Sequence, residues 1–294
     1  MRVGKERSRT VGLAGVRALL LDMDGVLVSR GRPIVGAAEA VARLHSTGTP
    51  FRVITNTSLS TRASLARRLA AARIDIPAGH IVTALSATAD RLAAQDPAPT
   101  VYLLASAEAP DEFPSELRLL SDADVDAGAR ADVVVVGDSE DRLTYANLNR
   151  AFRQLREGAA FVAMHRNPWW LTPAGPTLDS GALVAGLEYA TGRRATVAGK
   201  PSATIFRAAF AALAAEATDG LLRRREVAMV GDDLRTDLAP ARRLGMRTAL
   251  VLTGKHGRAD VDRAQGRGRS TMHPDLIAAS VAEVVAALGE RSRE

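Results

Sequence analysis

Apolar runs that end abruptly in polar residues set the architecture of this chain. Residues 17–22 read Arg-Ala-Leu-Leu-Leu-Asp, a continuous apolar run that stops at Asp22. Unbroken apolarity, without alternation, predicts a strand covered on both faces, as in a parallel sheet. Gly36 to Thr47 then carries Ala37, Val41 and Leu44 at helical spacing, and Gly48 stops it. Phe51–Ile54 is a second strand ending at Thr55-Asn56, and Thr61–Ala72 is a helix with Ser60 or Thr61 as its cap. The same alternation resumes late in the chain. Helix 202–217 precedes strand Val227–Val230, helix Thr236–Leu244, strand Thr248–Leu252 and helix 275–288.

Strand–helix alternation predicts a parallel sheet with right-handed crossovers. The middle of the chain interrupts it with a second α/β set. Its strands are Val101–Leu104, Val133–Val136 and Phe161–Met164, and its helix is Tyr145–Arg156. Pro97, Pro99, Pro110 and Pro114 fall in its loops, where a missing N–H costs least. The predicted fold is a doubly wound, Rossmann-like α/β core, 17–79 and 181–290, split by an inserted α/β cap at 80–180. Residues 1–16 are expected to be a flexible tail, and the polar stretch Gly254–His273 a surface loop. With 294 residues the chain has room for two such domains.

Composition narrows the chemistry. There is no cysteine, which excludes disulfides, thiolate catalysis and cysteine-ligated zinc. No apolar run approaches the roughly 18–20 residues of a membrane span. The basic segment 1–17 has no apolar stretch after it and makes a poor signal peptide. A cytoplasmic location, with no membrane partner, is the expectation. The net charge of +6 favours anions. The arginines are spread over helix-like stretches, such as Arg67 and Arg68 or Arg242 and Arg243, without interleaved aromatics. Nucleic acid is therefore not the expected partner.

The candidate chemistry lies at the ends of the predicted core strands: Asp22 and Asp24, Thr55, and Asp232-Asp233 after Gly231. In a parallel sheet these ends share one rim, where ligands of open α/β folds bind. Lys200 follows the short strand-like stretch Ala195–Ala198 and precedes Pro201. Each residue type suits phosphoryl transfer. A carboxylate can attack phosphorus and divide one hard displacement into two easier ones. A second carboxylate can protonate the leaving oxygen and then activate water. An oxygen-only donor set suits Mg²⁺, which shields charge as one anion approaches another. A lysine and a hydroxyl can hold the equatorial phosphate oxygens. Gly25, lacking a Cβ, lets backbone N–H groups approach the phosphate.

Taken together, these segments resemble the four motifs of the haloacid dehalogenase superfamily, in the family's order: Asp22-Met-Asp-Gly-Val-Leu, Ile54-Thr-Asn-Thr-Ser, Gly199-Lys-Pro-Ser and Val230-Gly-Asp-Asp-Leu-Arg-Thr-Asp. The resemblance spans about 15–290. It implies Asp22 as nucleophile and metal ligand, and Asp24 as general acid and base that ligates Mg²⁺ through its carbonyl. It implies Asp232 as the remaining direct ligand. Thr55, Asn56 and Lys200 would bind the phosphoryl group. Asp237 would hold metal-bound water or Lys200, with Gly25 and Asp233 supporting. The insertion's position resembles the C2 cap class of subfamily IIA, which includes NagD-type phosphatases. The runs Leu171–Ala182 and Leu187–Gly192 resemble most closely the phospholysine phosphohistidine inorganic pyrophosphate phosphatase branch. Caps of this subfamily often mediate dimers, so a homodimer through the cap is expected.

His165, Arg166 and Asn167 follow a cap strand and are candidates to face substrate or to form an ordinary polar loop. Trp169 and Trp170 are candidates for stacking on a ligand or for local packing. His45, His80, His256 and His273 show no metal-ligand spacing. The expected activity is Mg²⁺-dependent hydrolysis of a small phosphorylated metabolite, an ester, phosphoamide or pyrophosphate. The alternative is a non-hydrolytic phosphate-binding protein on the same scaffold.

Overall fold

The computed structural model describes residues 12–139, 141–172, 175–217, 221–266 and 272–289. The chain forms two compact units. One comprises 1–29, 33–51 and 213–294; the other comprises 30–32 and 52–212.

The first unit is built on parallel strands in the order Leu276–Ala278, Arg247–Val251, Val227–Gly231, Ala18–Asp22. Its register pairs Leu20 with Met229 and Val230 with Ala249. All five residues of Ala18–Asp22 are buried, as the unbroken apolar run predicts. Helix Ala37–Ser46 packs against helix Val281–Gly289. Leu20 is fully buried within that central strand. Leu20→Ala is expected to lower unfolding stability by about 2–5 kcal/mol, the usual cost of a lost core side chain plus its cavity, read from denaturant melts.

Three segments of this unit differ from the sequence reading. The stretch expected as a loop contains helix Arg258–Gly266; residues 267–271 lie outside the described set. Among its described side chains Val261 and Ala264 are the buried ones, so the polar majority hides the period. The helix expected over 275–288 begins as an edge strand, Leu276–Ala278, and becomes helical at Val281. The helix expected over 236–244 opens with a wide turn, Leu234–Leu238, in which Leu238 N–H donates to the Asp233 carbonyl at 3.3 Å, before Ala239–Arg243. Of the predicted tail, 1–11 lies outside the described residues. Gly12 N–H donates to the Asp275 carbonyl at 3.1 Å and Leu13 is buried.

In the second unit, Val53–Thr55 of strand Phe51–Thr55 pair parallel with Ile81–Thr83. A five-stranded parallel sheet follows, in the order Thr196–Val197, Ala160–Ala163, Val133–Val136, Val101–Leu104, Leu119–Leu120. Period two divides its side chains. Val101, Leu103, Val133 and Val135 pack into one cluster with Leu85 and Leu92 of helix Ala84–Ala93. Tyr102, Leu104, Val134 and Val136 pack into the other, with Leu155 of helix Tyr145–Arg156 and Leu187 of helix Ser180–Thr191. Trp169–Thr172 and Gly175–Leu178 pair antiparallel. Among the described residues, no helix is long and apolar enough to cross a membrane.

Candidate active site

The candidate residues divide between the units. In the first, Asp22 ends strand Ala18–Asp22 and Asp232 directly follows strand Val227–Gly231. These strands pair in register, so both acids leave the sheet on the same rim. Asp22, Asp232 and Asp237 are all buried, and each brings a carboxylate oxygen within 4.8 Å of the other two. Three buried anions this close repel one another, and a cation offsets that cost. Their donors are oxygen alone, which suits a hard divalent ion. The group can hold such a metal.

Glycines make this convergence sterically possible. A Cβ on Gly25 would lie 2.3 Å from Asp232 Oδ2, and one on Gly254 would lie 1.9 Å from it. A Cβ on Gly231 would lie 2.6 Å from Asp237 Cβ. The Asp232 carboxylate therefore fills space vacated by two glycines. Gly25 also has φ +81°, a conformation that favours glycine. The absent Cβ, expected to admit phosphate, here makes room for Asp232.

Hydrogen bonds fix these acids. Asp22 Oδ1 accepts the Met23 N–H at 2.7 Å. Asp232 Oδ2 accepts the Lys255 N–H at 2.7 Å, and Asp237 Oδ2 accepts the Asp233 N–H at 3.1 Å. Asp233 caps the turn that follows, accepting from Arg235 and Thr236 backbone N–H groups, and receives Lys255 Nζ at 3.2 Å. Burial pushes its carboxyl upward, but these donors, Lys255 and His256 hold it below the usual carboxylate range. Asp24 is exposed, and its side chain stands outside the carboxylate group. The sequence pattern gives the 253–256 loop no function, yet Thr253 Oγ1 donates to the Gly25 carbonyl at 2.5 Å and His256 N–H to the Asp232 carbonyl at 3.1 Å. Its signal was positional: it follows strand Arg247–Val251, which ends on the same rim.

In the second unit, Thr55 ends strand Phe51–Thr55 and is buried, as is Lys200. Asn56 joins the two segments. Its Oδ1 accepts the Lys200 N–H at 2.6 Å, and its Nδ2 donates to the Lys200 carbonyl at 2.9 Å. His165 is buried, its Nε2 lying 2.7 Å from Asp138 Oδ2, so its partners are internal. Arg166 pairs with Glu188 at 2.6 Å. Trp169 and Trp170, 56% and 40% exposed, lie on the antiparallel hairpin.

Comparison with known proteins places this geometry. A family model for haloacid dehalogenase-like hydrolases matches residues 19–116, and a HAD-hydrolase-like model matches 197–284. The chain is 34% identical over 248 residues to haloacid dehalogenase-like hydrolase domain-containing protein 2 of Bos taurus, covering 84% of this chain and 88% of that protein. It is 34% identical over 254 residues to the human phospholysine phosphohistidine inorganic pyrophosphate phosphatase, covering 84% and 87%. The p-nitrophenyl phosphatase from Archaeoglobus fulgidus superposes with a TM-score of 0.81 at 27% identity, covering 92% of this chain and 99% of that one. The chain belongs to the haloacid dehalogenase-like hydrolase family, and its place there is among the phosphatases of subfamily IIA.

Proposed function

We propose that this protein is a magnesium-dependent phosphatase that hydrolyses a small phosphorylated metabolite through phospho-Asp22. The convergence of the buried carboxylates of Asp22 and Asp232, at strand ends, with that of Asp237 in the turn that follows, carries this reading. The Asp22 carboxylate attacks phosphorus, and Asp24 protonates the departing oxygen. Asp24 then takes a proton from water as the aspartyl phosphate is hydrolysed. Thr55, Asn56 and Lys200 hold the phosphoryl oxygens, and Asp233 and Asp237 support the acid group. Asp22, Asp232 and the Asp24 carbonyl are the ligands assigned to Mg²⁺, which supplies charge shielding between nucleophile and phosphate.

The substrate class is a phosphate ester, a phosphoamide or pyrophosphate, in keeping with the names of the relatives. Nucleic acid and membrane have no part in the reading. It includes residues 80–180 as the cap, a homodimer through that cap and a cytoplasmic location.

The test is turnover of p-nitrophenyl phosphate. With Mg²⁺ the protein is expected to release nitrophenol; chelation should bring the rate to background, and added Mg²⁺ should restore it. A protein that binds inorganic phosphate but releases no nitrophenol would instead be the non-hydrolytic alternative.

A further inference from the structure

Four polar side chains in the second unit meet in a place that the phosphatase reading does not use. Ser58, three residues beyond Thr55, donates from Oγ to Asp138 Oδ2 at 3.0 Å and accepts the Asp138 N–H at 2.8 Å. His165 Nε2 lies 2.7 Å from Asp138 Oδ2, 3.3 Å from Ser58 Oγ and 3.8 Å from Asp179 Oδ1. Ser180 N–H reaches Asp179 Oδ1 at 2.7 Å and Asp138 Oδ1 at 3.3 Å. Ser58, His165 and Asp179 are all buried. Buried charged groups persist only when mutually satisfied, so this cluster has a specific arrangement to protect. The 2.7 Å separation of Nε2 and Oδ2 is that of a hydrogen bond.

The packing around the cluster leads to the phosphate-binding segment. A Cβ on Gly137 would lie 2.5 Å from Met164 Sδ and 3.1 Å from Ser58 Oγ. The Met164 carbonyl accepts the Gly199 N–H at 2.7 Å. A Cβ on Gly199 would lie 2.6 Å from both that carbonyl and Asn56 Oδ1. Contacts therefore run without a gap from Ser58 and Asp138 through Met164 and Gly199 to the Asn56–Lys200 pair.

We propose that Ser58, Asp138, His165 and Asp179 form a buried, proton-sharing clasp that fixes the segment Thr55–Ser58, and act as positioning residues for phosphate. The proposal rests on the reading of Thr55, Asn56 and Lys200 as the phosphate-holding residues. The titratable groups that face one another are Asp138, His165 and Asp179, from the strand end at 137–138, the segment after Ala160–Ala163, and the start of helix Ser180–Thr191. Arg166 beside them is paired with Glu188.

Protonation supplies a readout that a merely structural role would not move. Burial, then the hydrogen bond to Asp138, pushes the Asp179 carboxyl up to about 7. Burial pushes Asp138 the same way, but His165 and Asp179 hold it below the carboxylate range. A raised carboxyl retains its proton in the folded state after the unfolded chain has lost it. Its contribution to stability therefore falls as pH rises from about 4 to about 7 and is level above that. Asp179→Asn preserves the donor to Asp138 without titrating. The difference in Tm between wild type and Asp179→Asn should decline between pH 5 and 7.5, then stop changing.

The positioning arm uses inorganic phosphate Kd and p-nitrophenyl phosphate KM, both on the full chain with Mg²⁺. Ser58→Ala is expected to raise both by about fivefold, the worth of one hydrogen bond, with kcat within about twofold. Should Ser58→Ala fail to fold, Asp138→Asn carries the same expectation while keeping the shape. Unchanged Kd and KM in these variants, or a Tm difference that does not vary with pH, would overturn the clasp. A wild type that binds phosphate without turnover overturns the hydrolytic reading alone, because the Kd and Tm arms still decide the clasp. A wild type that does neither overturns both.

Discussion

Asp22→Asn is expected to yield a folded protein whose kcat for p-nitrophenyl phosphate is at least about ten-thousand-fold below wild type, the scale on which removal of a covalent nucleophile is felt. The substitution preserves shape. Asparagine Oδ1 can still accept the Met23 N–H that Asp22 Oδ1 accepts at 2.7 Å. It also removes one of three mutually close buried carboxylates, which relieves repulsion. Tm should therefore hold or rise while turnover collapses, and that divergence separates a lost nucleophile from a lost fold. Single-turnover measurement with a phosphorylated substrate should detect phosphoenzyme in wild type and none in the variant. Full activity in Asp22→Asn would refute the phospho-Asp22 route outright.

Gly254→Ala is expected to lower kcat/KM about a hundredfold, although residue 254 carries no chemistry of its own. An added Cβ would lie 1.9 Å from Asp232 Oδ2 and 2.5 Å from Asp232 Cβ. The oxygen can rotate aside, but the Cβ moves only with the backbone. Asp232 is also constrained by the Lys255 N–H and by Gly25 on its other side. The carboxylate must leave its place beside Asp22 and Asp237. The apparent Mg²⁺ requirement in the turnover assay should rise with the loss of rate. A Gly254→Ala enzyme with wild-type Mg²⁺ dependence would show that Asp232 is not held in this way.

Much of the core was legible because its physics is local. The Ala18–Leu21 run reports burial on two faces without any knowledge of its neighbours, and Asp22 at its end then stands out. Asp232 is legible for the same reason, after Val227–Gly231. What stayed hidden depends on distance or on absence. Among its described side chains, helix Arg258–Gly266 buries two, Val261 and Ala264, among polar ones, so its period is faint. Gly254 matters through an atom it lacks, next to a residue 22 positions away. The clasp joins Ser58 to Asp138 across 80 positions and His165 to Asp138 across 27, and no one-dimensional pattern marks a charge that will be buried. His165 was legible as a polar residue after a strand, but whether it turns outward or inward is decided by Asp138 and Asp179.

The reciprocal bonds between Asn56 and Lys200 have an evolutionary consequence. One side-chain amide grips both the N–H and the C=O of a residue 144 positions away, much as a neighbouring strand would. The long excursion between them thus leaves and re-enters at a stapled neck. Once a neck is closed, the length of what hangs from it matters little: doubling a closed loop costs only about 0.6 kcal/mol. A lineage can extend, trim or exchange the excursion while Thr55 and Lys200 keep their places.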